Sequence, residues 1–463
     1  MAGDRIPGDG VDLLITNGRL VTMDPSRRII DGGAVAVAGE RIAAVDRTSV
    51  LRQRWPDVAE LDAGGALVTP GLVNAHQHLT GGPLSWSCIP DDLPPGSSIF
   101  AWSVPLHEAE DEADERLAAT LVAAESLKNG VTTVVEAGTL SFPHAVAAAM
   151  QEVGLRGTIG MWGWDIEAGP LAAPPAVVLG RLESLLADFP PGGQVEGWVT
   201  LVGHNLASDE LLAGGADLAR RAGTQMTMHL SPTSSDPEQY LARTGRRPVQ
   251  HLEKLGVLGP HLLLGHAVWL DDGEVDAVLA SRTAVAYCPW AYLRLGQGVS
   301  GQGRHAELYS RGGRVALGCD ASNAGDAVDI LRAAALTAGL AKDSRVDPTW
   351  FGAHEALEMA TVAGAEALGM GQRIGSLEAG KLADIVVFSP ALPMGSADPA
   401  LALVWGTDGR SVRHVFVGGR PVVRDGRCIT IDEPELLAEV HGRGTALLRR
   451  AGITPPTKWP VVA

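Results

Sequence analysis

The chain has 463 residues and a formal net charge of −17, room for one large barrel plus a smaller domain with a substantial core. Its acidic balance excludes the basic stripe that displaces counterions from nucleic acid and disfavours polyanionic substrates. No run approaches the roughly 20 apolar residues of a membrane span, and the opening MAGDRIPGDGVD lacks the basic-then-apolar build of a signal peptide, so a cytoplasmic location is expected. Cys88, Cys288, Cys319 and Cys428 show no CxxC spacing and read as buried thiols rather than a disulfide framework or a zinc site.

From Val11 to about Pro70, short β-runs alternate with turn chemistry. VDLLITNGRLVTM predicts a hairpin turning at Asn17-Gly18, and AVAVAGERIAAV one turning near Gly39. LVTPGLVNAH then opens a series of eight strand-like runs, continued by VTTVVEAG, RGTIGMW, GWVTLVGHN, TQMTMHL, HLLLGHA, TAVAYCP and RVALGCD, with Ala/Leu/Glu-rich helical runs between them. Eight such units predict an α/β fold, a TIM-like (β/α)8 barrel whose catalytic residues sit at the C-terminal ends of its strands. The Pro/Gly-rich loop IPDDLPPGSS after strand one is expected to cover the site, and the acidic run HEAEDEADER reads as a solvated helix face. KLADIVVF and VRHVFVGGRPVVRDGR, turning at Gly418-Gly419, return to the β pattern. The expected layout is therefore residues 1–70 as the N-terminal part of a small β-sandwich domain, 71–374 as the catalytic barrel, and 375–463 as the C-terminal part of the sandwich plus a C-terminal helix.

The chemistry concentrates at strand ends. In VNAHQHLT, His76 and His78 are two apart, and side chains at i and i+2 of a strand share a face, so both imidazoles can reach one ion. His204, His229, His266 and Asp320 close later strand-like runs in the same way. Histidine and carboxylate together are the ligands of a hydrolytic zinc, iron or cobalt site with an open position for water. The remaining histidines, His107 and His305 among them, lie in helical, loop or hairpin contexts and are assigned no function.

HQH at 76–78, HLSP at 229–232, GHAVWLDD at 265–272, LGCDASN at 317–323 and the stretch ATVAGAEALGMGQRIGSLEAGKLADIVVF together resemble the amidohydrolase superfamily. The resemblance is closest to the branch that holds triazine hydrolases and aminohydrolases such as guanine and methylthioadenosine deaminases. It implies that His76, His78, His229 and Asp320 bind one metal, that Asp320 and His266 are catalytic, and that His204 faces a small-molecule substrate. It also implies a homo-oligomer. Strand four brings Asn205 beside His204 and no Lys that could bridge two metals, so one divalent ion per chain is expected, zinc first, with cobalt or iron as alternatives.

Two departures from the family pattern bear on the substrate. The deaminase branch carries Glu three residues after the strand-five histidine, where it shuttles a proton to the ring; here the residue is Pro232, which cannot. After strand seven stand Trp290, Ala291 and Tyr292 in place of a small residue and Asn. These features resemble the phenylurea and molinate (thiocarbamate) hydrolases. Trp86, Trp102, Trp162, Trp290 and Tyr292, with His204 and Asn205, are the expected substrate-binding set, an apolar wall suited to aryl or alkyl groups. The expected function is cleavage of a urea, amide, carbamate or thiocarbamate by metal-bound hydroxide. The alternative is deamination of a purine, pyrimidine or triazine ring; a metal-retaining binding scaffold is a third reading.

Overall fold

The computed structural model describes residues 10–94, 97–166, 169–321, 325, 327–390 and 398–460. Both chain ends build one nine-stranded sheet. Leu13–Val21, Ile29–Ala38, Arg41–Arg47, Ala59–Asp62 and Leu67–Pro70 come from the N-terminal part; Ile385–Phe388, Val412–Val417, Arg420–Arg424 and Arg427–Cys428 come from the C-terminal part. The two parts join where Leu67–Pro70 runs antiparallel to Ile385–Phe388, with Pro70 opposite Ile385 and Val68 opposite Val387. Ile15, Val35, Val68, Val387 and Phe416 pack into the apolar cluster of this sandwich domain. The hairpins at Gly39 and at Gly418-Gly419 form as expected. The one expected at Asn17-Gly18 does not. Leu13–Val21 is continuous there, and Asn17 takes φ 54° within an irregularity of the pairing with Ile29–Ala38, so Asn-Gly chemistry serves a bulge instead of a reversal.

Between the two halves of that sheet lies the (β/α)8 barrel. Its strands are β1 (Leu72–Gln77), β2 (Val131–Glu136), β3 (Arg156–Ile159), β4 (Val199–Gly203), β5 (Met226–Leu230), β6 (Leu262–His266), β7 (Ala284–Tyr287) and β8 (Arg314–Leu317). All are parallel to their neighbours, and β4 is preceded by a short run, Val195–Gly197, that pairs with β3. Trp198 interrupts the two, donating its backbone N–H to Ile159 at 2.9 Å. Strands covered on both faces carry unbroken apolar runs instead of alternation, which is why VTTVVE and LLLGH are buried throughout. Inside the ring, small residues such as Ala75, Ala286 and Ala316 pack with Val73, Val135 and Leu263; helices on the outside bury the opposite faces. The ring closes between β8 and β1: Cys319 and Asp320 both donate their N–H to the His76 carbonyl, at 3.1 and 2.9 Å.

The acidic run HEAEDEADER is only in part a solvated face: Glu108, Asp111 and Glu112 are exposed. Helix Glu112–Lys128 is capped by Asp111 in a reciprocal box with Asp114, but Asp114 and Glu115 are fully buried and Glu110 nearly so. Asp114 pairs with Arg443 and Arg450 of the C-terminal helix Glu433–Arg450, and Glu115 accepts the N–H groups of Ser141 and Phe142, each at 2.8 Å. Cations meet Asp114 and backbone donors meet Glu115 in this buried setting, whereas Glu110 accepts only the Gly81 N–H at 2.9 Å and burial raises its carboxyl well above the ordinary value. Among the described residues no helix is long and apolar enough to cross a membrane.

Candidate metal-dependent active site

His76 and His78 leave the end of β1, His229 the end of β5, His266 the end of β6, and Asp320 follows β8. Closure of the barrel brings them together. His78 Nε2 lies 3.1 Å from His229 Nε2, and Asp320 Oδ1 lies 3.5 Å from His78 Nε2 and 3.7 Å from His76 Nε2. A tetrahedral ion with ligand distances of about 2.0–2.1 Å holds neighbouring ligand atoms about 3.3 Å apart; the observed separations bracket that edge. His266 and Asp320 both adopt left-handed backbone, φ 78° and 70°, a strained conformation for non-glycine residues that is characteristic of functional sites.

The hydrogen bonds orient the donors. His229 Nδ1 lies 2.8 Å from the Val202 carbonyl, which can only accept, so the proton is on Nδ1 and the Nε2 lone pair faces the cluster. His78 Nδ1 meets Thr139 Oγ1 at 2.9 Å, and that hydroxyl can donate onward to Glu136 Oε1 at 3.3 Å, which leaves His78 Nε2 free as well. Two lone pairs 3.1 Å apart repel unless a cation lies between them. Both ring nitrogens of His76 and Nδ1 of His266 are buried without a hydrogen-bond partner, a costly arrangement unless an ion or a substrate completes it. Burial pushes His78 down to about 4, against the pull of Asp320, and drives His229 and His266 well below 6.5. Burial raises Asp320, but the surrounding imidazoles of His76, His266 and His78 outweigh it and hold the carboxyl well below its usual range. At neutral pH His78, His229 and His266 thus offer neutral nitrogens and Asp320 a carboxylate, the ligand state a divalent ion requires. The donor set fits the metal.

A cavity of about 100 Å³ opens onto this cluster. Phe100, Val104 and His107, from the segment that follows the Pro/Gly-rich loop, line one part of it, and Ile89 of that loop reaches it too; Pro95 and Gly96 of the loop lie outside the described residues. Residues 67–422 match the profile of the amidohydrolase family. Residues 33–57 also match the imidazolonepropionase-like composite domain of bacteria. The chain belongs to the amidohydrolase family. This amidohydrolase hydrolyses carbon–nitrogen bonds other than peptide bonds. It is 34 % identical over 432 residues to a 5-methylthioadenosine/S-adenosylhomocysteine deaminase of Syntrophobacter fumaroxidans, covering 93 % of this chain and 97 % of the relative. It is 31 % identical to a 5'-deoxyadenosine deaminase of Methanopyrus kandleri, covering 92 % and 96 %. Among solved structures it superposes on an adenosine deaminase from Xanthomonas campestris with bound zinc, at TM-score 0.89, 26 % identity, and coverage of 95 % and 99 %. It shares its fold with an atrazine chlorohydrolase from Arthrobacter aurescens complexed with zinc, at TM-score 0.84, 24 % identity, and coverage of 94 % and 100 %.

Of the expected substrate-binding residues, His204 and Trp162 line the cavity of this amidohydrolase, as does Pro232. His204 stacks on His229 with ring centroids 5.0 Å apart, and its Nδ1 is 3.2 Å from Asp236 Oδ2. Asn205, Trp86, Trp102, Trp290 and Tyr292 are not in the lining. Asn205 instead accepts from Arg243, Trp290 is covered by the Arg332 guanidinium at 4.2 Å from its ring, and Trp86 and Trp102 pack half-buried on the apolar core. Tyr292 lies behind the site: its hydroxyl accepts the Cys288 N–H at 2.9 Å and its ring meets that of His266 edge-on. Ser322 and Asn323 of LGCDASN lie outside the described residues. The sequence reading passed over His107, Thr139 and Gln297, all of which line the cavity. His107 sits on the short helix Val104–Ala109, where burial pushes its imidazole down to about 3. His305, also unassigned, holds the His266 carbonyl at 2.6 Å from its Nε2 while stacking on Tyr287.

Proposed function

We propose that the protein is a mononuclear metal-dependent aminohydrolase that deaminates a heteroaromatic ring of the aminopurine type. The observation that carries this is the convergence of His76, His78, His229 and Asp320 at one end of the barrel, in overlapping contacts, in a chain whose matches along nearly its whole length include deaminases of adenosine derivatives. These four residues would hold the ion, with zinc favoured by the N3O donor set. When bound, a divalent ion lowers the pKa of coordinated water to about 7 and so makes a hydroxide nucleophile available at neutral pH. Asp320, kept anionic, accepts the proton of the attacking water and returns it toward the departing amine. His266, neutral and with Nδ1 unpartnered 3.9 Å from Asp320 Oδ2, hydrogen-bonds the oxygen as it adds to the ring carbon. His204, anchored through Asp236, lines the cavity beside the cluster and is placed to contact the substrate.

Pro232 favours a second reading. It lines the cavity and brings no proton-transferring group, and a urea or carbamate, unlike an aromatic ring, needs no protonation at a ring nitrogen. In the deaminase reading Asp320 carries both proton transfers. The deciding experiment is a product assay on protein loaded with one equivalent of zinc, run against adenosine, 5'-deoxyadenosine, aminotriazines, N-aryl ureas and thiocarbamates. The deaminase reading expects ammonia from an aminated ring at a rate above any urea or carbamate cleavage; the reverse ranking would install the second reading.

A further inference from the structure

His266 is aimed into the cluster by a backbone conformation that its residue type does not favour. It ends β6 at φ 78°, and Ala267 follows at φ 52°; two consecutive non-glycine residues in the left-handed region persist only where their surroundings over-determine them. The peptide between them is held from both sides. Its N–H, on Ala267, donates to the Leu230 carbonyl of β5 at 2.8 Å. Its carbonyl, on His266, lies past the last β6–β7 pair, Gly265 with Ala286, and the Cys288 N–H further along donates to the Tyr292 hydroxyl at 2.9 Å. The partner of the His266 carbonyl is His305, the first residue of the short helix His305–Ser310 between β7 and β8, whose Nε2 lies 2.6 Å away. A carbonyl only accepts, so Nε2 carries the proton, and burial pushes this imidazole down to about 4, which keeps it neutral at pH 7. Its pose is fixed by neighbours. The ring stacks on Tyr287 with centroids 4.0 Å apart and lies nearly parallel to Tyr292 at 6.0 Å, and Tyr292 meets the His266 ring edge-on at 5.6 Å.

We propose that His305 is a positioning residue for His266: its Nε2–H holds the His266–Ala267 peptide, and with it the left-handed turn that points the His266 imidazole at the reacting oxygen. This rests on the role given to His266 above, which the deaminase reading and the urea or carbamate reading share. His305 neither lines the cavity nor belongs to the metal-type donors, so it acts through the backbone of its neighbour. Without its N–H the His266 carbonyl is left buried and unpaired, the peptide turns toward another partner, and the two left-handed residues relax.

His305→Phe keeps a ring to stack on Tyr287 and deletes the donor; His305→Gln returns an N–H at about the same reach. Both are compared with the wild type, His266→Ala and the double variant of His266→Ala with His305→Phe, each loaded with one equivalent of zinc. Adenosine and N-phenylurea are the substrates, and kinetics are taken on whichever the wild type turns over faster. His305→Phe is expected to lower kcat at least about tenfold while KM and bound zinc stay within about twofold of the wild type, and His305→Gln to recover kcat to within about threefold. The double variant should fall no more than about twofold below His266→Ala, since two residues acting as one unit do not add. The crystal structure of His305→Phe should show His266 outside the left-handed region and its imidazole moved away from Asp320. Wild-type kcat in His305→Phe, losses that multiply in the double variant, or zinc lost in step with activity would overturn the proposal, and an inactive His266→Ala would still leave the role of His266 standing. Full activity in His266→Ala would remove that role and the proposal together. With neither substrate turned over, the crystal structure decides: an unmoved His266 in His305→Phe overturns the proposal.

Discussion

Two clusters of buried ionisable groups lie side by side at one end of the barrel and are treated in opposite ways. At the end of β2, Glu136 accepts the N–H of Gly138 at 2.7 Å and of Thr139 at 3.2 Å, and Glu115 next to it accepts two further backbone N–H groups. Around His76, by contrast, nitrogen and oxygen donors face one another and the protein supplies no hydrogens to fill the middle. Burial raises the carboxyls of the first cluster, Glu136 to about 8 and Glu115 to about 7, and lowers His78, His229 and His266 of the second. The first cluster is complete within the fold and shapes the loop that carries Thr139. The second has no such completion among the described residues, which supports the proposal that an ion and a substrate act there.

The comparison breaks most sharply if the open cluster proves dispensable. His76→Ala or Asp320→Ala is expected to take bound metal from about one equivalent per chain to nearly none and turnover down by about a thousandfold or more, with the circular dichroism spectrum unchanged because aliphatic strand residues pack the barrel. Elemental analysis after gel filtration and an activity assay check both; full activity in either variant would remove the cluster from the mechanism. In the closed cluster, Glu136→Ala leaves the Gly138 and Thr139 N–H groups buried and unpaired and should cost about 2–4 kcal/mol of stability in urea denaturation. It should also weaken metal binding about tenfold, since Thr139 then loses its acceptor and orients His78 less well.

The pH dependence of stability separates the clusters by sign. Glu136 and Glu115 have folded-state pKa values raised above the ordinary carboxyl value of about 4.5, so their contribution is fully present below that value and is lost as pH rises through about 7 to 8. The imidazoles depressed by burial contribute stability that is lost on acidification below about 6.5. Metal-stripped wild type is thus expected to lose a few degrees of Tm, to order of magnitude, between pH 7 and pH 8.5, and Glu136→Gln should flatten that slope. An unchanged slope would show that Glu136 does not titrate there.

Adding a carboxylate to the open cluster is a milder probe. Pro232→Glu should raise ring deamination about tenfold by supplying a second proton-transferring group, and should depress cleavage of any urea or carbamate by placing a charge in an apolar wall. A fall in ammonia release would favour the acyl-type reading. The smallest effect is expected where sequence reasoning placed substrate contacts that the fold puts elsewhere: Trp290→Phe and Asn205→Ala should each change kcat/KM by about twofold or less.

The difference between the clusters also explains what could be read without coordinates. His76, His78, His229, His266 and Asp320 are legible because each ends an apolar run, and a (β/α)8 ring has only one end at which such residues can meet. His204 and Trp162 follow the same logic. His107, Thr139 and Gln297 sit on loops and a short helix whose path depends on tertiary packing, and no periodicity marks them. The acidic helix was misread in part for a related reason. Asp114 and Glu115 look solvated until the Arg443 and Arg450 side chains and the loop at Ser141 are seen beside them, contacts that span up to 336 positions. Asn17-Gly18 misled locally: the pair suits a left-handed turn, and the strand used that same backbone freedom for a bulge.

The closure of the ring has a consequence for how the protein is made. Gln77 and Asp320, 243 positions apart, meet only when β8 docks on β1, and that event places the last oxygen donor beside the first two histidines. Until β8 docks, His76, His78, His229 and His266 lack the carboxylate that completes their donor set. An ion held by His76, His78 and Asp320 would tie the first strand to the last and strengthen the assembled ring by mass action more than the open chain. A chelator would then loosen the β8–β1 closure before the rest of the ring.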